Sequence, residues 1–181
     1  MSTYRRYYLP GGTCFLTVVS HERRPFLTAE LSRHCLRHAI LTVQRARPFL
    51  TFAMVLLPDH WHTVWILPEG DHDYSLRMRS VKSIFTESYL AAGGKEGFLS
   101  KSRLRQGERG VWHRRFYEHT VRNELDMKQC VDYIHWNPVK HGLTTRVIDY
   151  PYSSFHRFMK MGEYPADWGG ENPLPDREMP E

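Results

Sequence analysis

The sequence has no hydrophobic run of membrane-spanning length, and no apolar stretch of signal-peptide length follows the charges of MSTYRRYYLPGGT. A transmembrane helix is excluded, and a cytoplasmic protein is expected. Cysteine is scarce: Cys14, Cys35 and Cys130 are odd in number and widely spaced. That excludes a disulfide framework or a zinc knuckle and fits a reducing compartment. There is also no internal repeat, so the 181 residues read as one domain with a real core and a short appendage.

Acids are concentrated at one end. From Tyr164 onward, Asp167, Glu171, Asp176, Glu178 and Glu181 face a single base, Arg177, a local balance of −4 within a net charge of +5. Residues 1–163 therefore carry +9. A basic body rich in Tyr, Trp and Phe has the composition of a nucleic-acid binder, because Lys and Arg meet phosphates and aromatic rings stack on unpaired bases. A merely soluble basic protein has the same composition, so motifs must decide.

Tyr4 to Tyr8 (YRRYY) sets two arginines among three tyrosines before the Pro10-Gly11-Gly12 breaker. Thr13 to Val19 is β-branched and aromatic and predicts the first strand. A helix capped by Thr28 follows to about Arg45, with Leu36, Ala39, Ile40 and Val43 at helical spacing. Leu50 to Leu57 and His60 to Leu67 predict a hairpin with a Pro-Asp corner between them. Ser75 caps a second helix to about Ala92, with Met78, Val81, Ile84 and Phe85 facing a sheet and Arg79, Lys82 and Thr86 lining another side. Gly93 to Gly110 holds five glycines and five bases against two acids and reads as a mobile basic loop. Val111 to His119 predicts a fourth strand, and Asn123 caps a third helix from Glu124 to Trp136, closed by Asn137-Pro138.

The order βαββαβ with an appended helix is that of an α+β, ferredoxin-like fold. Its four-stranded antiparallel sheet carries two helices on one face and leaves the other open for the third. Residues 1–143 are the expected main domain, and 144–181 a C-terminal tail. The tail is aromatic enough to pack to about Trp168 and loose beyond, where GGENPLPDREMPE is Pro-rich and acidic.

Side chains two apart on a strand point the same way, so His60 and His62 can share one metal ion while Trp61 faces the opposite side. Such a pair can equally be two ordinary histidines, and the third helix supplies what else is needed. Projected at about 100° per residue, Met127, Val131 and Ile134 share one arc, and Asp126, Gln129, Cys130, Tyr133 and Asn137 the next. Tyr133 and Asn137, one turn apart, are neighbours. With that flank over the open sheet face, a phenol and an amide oxygen come beside the imidazoles. A phenol of pKa near ~10 is a poor nucleophile and a phosphodiester a poor electrophile. A cation held by two imidazoles and one oxygen could neutralise phosphate charge and align phosphorus with the phenolate. Tyr117, Glu118 and His119 in the fourth strand form a rival set, lacking a helical amide partner for the tyrosine. His113 reads as a plain strand residue or a phosphate contact.

His60-Trp61-His62 after LLPD, VWHRRFYEHTVRNELD (Val111 to Asp126), VDYIHWNPVKHGL (Val131 to Leu143) and DYPYSSFHRF occur in this order. Together they resemble the transposases associated with repetitive extragenic palindromes (REP), relatives of the single-tyrosine, His-hydrophobe-His insertion-sequence transposases. The resemblance spans residues 4 to about 168. It implies a metal-dependent single-stranded DNA endonuclease and strand transferase working through a 5′-phosphotyrosine, with Tyr133 as nucleophile. It also implies Mg²⁺ or Mn²⁺ on His60, His62 and Asn137, the last standing where many relatives of the wider superfamily have Gln. The substrate it implies is a single-stranded DNA hairpin with a tetranucleotide at its foot, met in the cytoplasm at the bacterial nucleoid. Arg5, Arg6, Arg79 and Lys82 are the candidate grips, and Arg114, Arg115, Lys140 and His141 flank the motifs. Insertion-sequence relatives pair the tyrosine of one chain with the histidines of another. Here the tail favours a monomer, with a dimer as the alternative. A module of the same fold that binds structured DNA or RNA without cutting it is the competing reading.

Overall fold

The computed structural model describes residues 12–169. Four strands form, β1 (Thr13–Val19), β2 (Leu50–Leu56), β3 (His60–Ile66) and β4 (Tyr117–Thr120). Five α-helices accompany them among the described residues: α1 (Glu30–Ala46), α2 (Tyr74–Ala91), α3 (Lys101–Arg105), α4 (Glu124–Lys140) and α5 (Phe155–Lys160). All strand pairs are antiparallel, in the order β2-β3-β1-β4. That is the ferredoxin-like order, and it makes β1 and β3 central.

The pleat of the central strands divides the core in two. Cys14, Leu16 and Val18 of β1, with Trp61 and Trp65 of β3, pack under α1 and α2. Phe15 and Val64 point the other way and pack with Val131, Tyr133 and Ile134 of α4. The alternation that sends Trp61 toward α1 and α2 therefore sends His60 and His62 toward α4.

Several local expectations are corrected. Ala29, with no side-chain bond, stands where Thr28 was expected to cap α1. Asp73, not Ser75, caps α2 by accepting from the Leu76 amide at 2.8 Å. The fourth strand is shorter than expected because the Lys82 ammonium donates to the carbonyls of His113 and Arg114 (2.7 and 3.2 Å). These backbone acceptors are satisfied without a neighbouring strand. Nor is the Gly93–Gly110 segment a free loop. Its neck is closed by Gly97 N–H donating to Gly110 O at 2.7 Å, and a side chain on Gly110 would collide with the Gly97 backbone. Arg24 further donates to the carbonyls of Gly110 and Lys95, and Ser100 caps α3 inside the segment.

α4 does not stop at Trp136. It runs through Pro138 to Lys140. Proline removes one intrahelical donor, but Pro138 is buried, and its carbonyl accepts from Leu143 as Gly142 (φ 65°) turns the chain out of the helix. The tail then laces the exposed edge of β2: Leu56 N–H donates to Tyr152 O (2.9 Å) and Ser154 N–H to Met54 O (2.8 Å). Phe155, Phe158, Tyr164 and Trp168 surround His135 on the outer side of α4. Burial, with a smaller contribution from the charge of Arg157, lowers the His135 pKa to about 3, so this imidazole stays neutral. Covered by the sheet below and the tail above, α4 buries Asp132 and His135 as well as its apolar arc. Arg5, Arg6 and the acidic end of the tail lie outside the described residues.

Arg77, which the sequence reading passed over, is 2% exposed. It donates to both Asp71 carboxylate oxygens (3.0 and 2.5 Å) and to the carbonyls of Arg47, Pro48 and Asp73. The end of α1 is thereby tied to the start of α2. The Arg77 hydrogen bond, then the Asp73 amide, hold the Asp71 carboxyl at about 2 against an ordinary 3.8. A depressed carboxyl stabilises the fold above its ordinary pKa, and that contribution fades as pH falls from about 4 toward about 2. Because Asp71 is 34% exposed, solvent screening shrinks it. Arg77→Met should lower unfolding free energy by about 2–3 kcal/mol in urea titrations, chiefly through the three orphaned carbonyls; unchanged stability would contradict this role.

Candidate active site

The hairpin corner sets the imidazoles. Leu57 N–H donates to His60 O, Leu27 N–H to Pro58 O and Ser20 N–H to Asp59 O, each at 2.8 Å, fixing the Pro58-Asp59 turn. In register, His60 lies opposite Val19, and His62 lies between Thr17 and Val55. The two rings are 4.9 Å apart, edge to face, and both residues are buried.

Each imidazole is oriented by a neighbour that the sequence reading did not assign. Asp59 Oδ1 accepts from His60 Nδ1 at 2.7 Å, and the same carboxylate binds Arg23 at 3.0 Å. Burial alone would raise the Asp59 pKa, but the hydrogen bonds and charges of His60 and Arg23 outweigh it and hold the carboxyl at about 2. Thr17 Oγ1 lies 2.8 Å from His62 Nδ1. With Nδ1 engaged in each ring, Nε2 is the nitrogen turned away from these neighbours, the arrangement in which metal-binding histidines are held. The available signals were that Asp59 directly precedes His60 and that Thr17 sits on the first predicted strand of the same sheet.

Tyr133 arrives from above on α4. Its ring meets His62 at 5.3 Å and Phe15 at 6.0 Å, both edge to face. The residue is 7% exposed, and its hydroxyl accepts from exposed Lys140 at 3.1 Å, so the phenolic oxygen lies at the rim of the buried layer. Asn137 follows Tyr133 by one turn and is fully buried. His141, just past the helix, places its ring 5.1 Å from that of His60.

The donor set fits a divalent cation. His60 Nε2 and both polar atoms of the Asn137 side chain are buried with no hydrogen-bond partner among the described residues. Such groups cost stability in a folded chain unless a bound species engages them. A second group, His119, Asp126 and Cys130, brings three ligand atoms within 4.8 Å of one another. Its carboxylate is already taken: the two oxygens lie 3.0 and 2.9 Å from His119 Nε2, and the Arg122 amide donates at 2.9 Å. It ties β4 to the first turn of α4. A cation there would have to break that tie.

The basic residues expected to hold DNA are split. Lys140 and His141 join the histidine and tyrosine cluster. Arg79 is exposed on α2, in the layer across the sheet, and Lys82 is spent on the segment before β4. Arg114 and Arg115 are exposed on that segment, Arg114 within 3.7 Å of Glu108.

No protein-family model matches the chain. A REP-associated tyrosine transposase of Escherichia coli (strain K12) is 45% identical over 172 residues, covering 94% of this chain and 93% of its own length. A relative from Haemophilus influenzae bearing the same family name is 42% identical over 175 residues, 96% and 97% of the two chains. The solved structure of a REP-associated tyrosine transposase bound to a REP hairpin matches with a TM-score of 0.79 at 43% identity, over 100% of this chain and 99% of that one. Fold and relatives together define the class, a tyrosine transposase, which is an enzyme of DNA cleavage and joining. Within that class, the chain belongs to the REP-associated tyrosine transposases.

If the Asn137 amide is kept for a ligand and not for the fold, an apolar side chain of similar size should suit the metal-free protein better. Asn137→Leu should raise unfolding free energy in chelator by about 1 kcal/mol. A loss of stability in urea titration would show that the amide serves packing.

Proposed function

We propose that Tyr133 is the nucleophile and that His60, His62 and Asn137 hold Mg²⁺ or Mn²⁺ while the enzyme nicks and joins single-stranded REP-type hairpins. The observation that carries this reading is the 5.3 Å approach of the Tyr133 ring to His62 within one chain. The unpartnered His60 Nε2 and Asn137 amide supply the remaining donors. When bound, the cation supplies charge neutralisation at a phosphate oxygen.

The residues of the chain do the rest. Phe15 and His62 pack against the phenol and fix the line along which its oxygen meets phosphorus. Attack forms the bond from the Tyr133 oxygen to phosphorus and breaks the bond to the departing 3′-oxygen, which leaves as a hydroxyl. The 5′-phosphotyrosine stores the cleaved bond, so a second 3′-hydroxyl can reverse the step and rejoin strands. No external energy is needed.

The REP hairpin in the solved relative supports a hairpin substrate. Exposed Arg79, Arg114, Arg115 and His141 are suited to its phosphates, with Arg5 and Arg6 on the N-terminal segment. Lys82 acts by fixing the backbone that presents Arg114. Residues 1–143 form the catalytic unit and 144–168 its brace. A Tyr133 already seated on its own histidines suits a monomer working on the chromosome in the cytoplasm. No helix among the described residues is long and apolar enough to cross a membrane.

Incubating the protein with a labelled hairpin oligonucleotide and Mn²⁺ should give a covalent adduct on a denaturing gel, absent in Tyr133→Phe. His60→Ala should form no adduct, yet shift the hairpin in a native gel nearly as well as the unaltered protein. A native shift without an adduct from the unaltered protein would leave only a hairpin-binding module.

A further inference from the structure

The turn that α4 gains beyond Pro138 has a chemical consequence. Lys140 follows Tyr133 by seven residues, two helical turns, and so returns to the same side of the helix. Its Nζ stands 3.1 Å from the phenolic oxygen and 4.9 Å from the ring centroid. A lysine serving only as a phosphate grip has no need of that oxygen, and ordering its long side chain costs rotamer entropy. We propose that Lys140 is a catalytic residue whose ammonium stabilises negative charge on the Tyr133 oxygen as the bond to phosphorus forms and breaks. This rests on Tyr133 being the nucleophile.

In cleavage, the phenolic proton passes to solvent, an oxygen electron pair forms the bond to phosphorus, and the 3′-oxygen leaves and takes a proton from solvent. In joining, the incoming 3′-hydroxyl oxygen attacks phosphorus and its proton goes to solvent. The bond from phosphorus to the Tyr133 oxygen breaks, and its electron pair returns to that oxygen as phenolate. Both directions pass through a transition state with partial charge on the phenolic oxygen. Throughout, the Lys140 ammonium donates a charge-assisted hydrogen bond to that atom. A donor so placed acts where charge develops and needs no reorganisation during the step. The two-turn spacing along α4 places it there in advance.

The test is a single-turnover assay at saturating hairpin with Mn²⁺, following both adduct formation and release of the isolated adduct by an added 3′-hydroxyl strand. Lys140→Met should slow both steps by roughly 10²-fold, the loss typical of removing one such donor. Hairpin affinity should change by no more than the few-fold expected for one phosphate contact, and Lys140→Arg should recover most of the rate. Fluorinated tyrosine at position 133, a better leaving group, should accelerate joining more in the Lys140→Met protein than in the unaltered one. An affinity loss with unchanged rates at saturation would make Lys140 a DNA contact and overturn the proposal. So would an equal response to the fluorinated residue in both proteins. An adduct persisting in Tyr133→Phe would instead overturn the nucleophile assignment itself, which separates the two failures.

Discussion

Val131 and Ile134 seat α4 on Phe15, Ala53, Val55 and Val64, and this apolar contact across the open sheet face fixes everything that follows. Side chains of this kind contribute about 1.5–3 kcal/mol each on full burial. An orphaned amide or imidazole nitrogen costs about 1–3 kcal/mol. A few well-packed residues therefore offset the polar groups held beside them. The sheet supplies half of the constraint, because the pleat that buries Trp61 under α1 and α2 leaves His60 and His62 no direction but toward α4. The tail supplies the other half. By lacing β2 through Tyr152 and Ser154 and covering His135 with four aromatic rings, it presses α4 down from outside.

Buried polar groups of the site lack partners that comparable groups elsewhere in the fold have. The Arg77 side chain, equally buried, makes five hydrogen bonds and ties two helices together, whereas the Asn137 side chain makes none among the described residues. His119 and Asp126 satisfy each other, whereas His60 keeps one nitrogen engaged with Asp59 and the other without a partner. Local destabilisation of this kind is found where a protein reserves groups for a ligand. It lies on β3 and α4, two of the elements that the apolar contact joins.

Much of this was legible in the sequence because it follows from periodicity. A period of two placed His60 and His62 on one face, and i, i+4 spacing placed Asn137 beside Tyr133. The strand order followed from the element order. What escaped depended on tertiary partners. Pro138 looked like a helix stop because propensity counts its missing donor, but not the burial that keeps the turn helical. Consequently Lys140 read as a charge beyond a helix when it is the last residue of one, two turns from Tyr133. The segment before β4 read as strand from its aromatic and β-branched residues, yet Lys82 satisfies its carbonyls from α2. Asp59 and Thr17 stood in plain view beside or opposite the histidines. Only the fold shows which ring nitrogen each one meets.

The central claim is that one chain supplies both the phenol and the imidazoles of its active site. Mixing Tyr133→Phe with His60→Ala and measuring adduct on a labelled hairpin tests it most directly. Within-chain assembly predicts no adduct from the mixture, since each chain carries one defect in its only site. Recovery of adduct, approaching the level that a shared site in mixed dimers would allow, would contradict it.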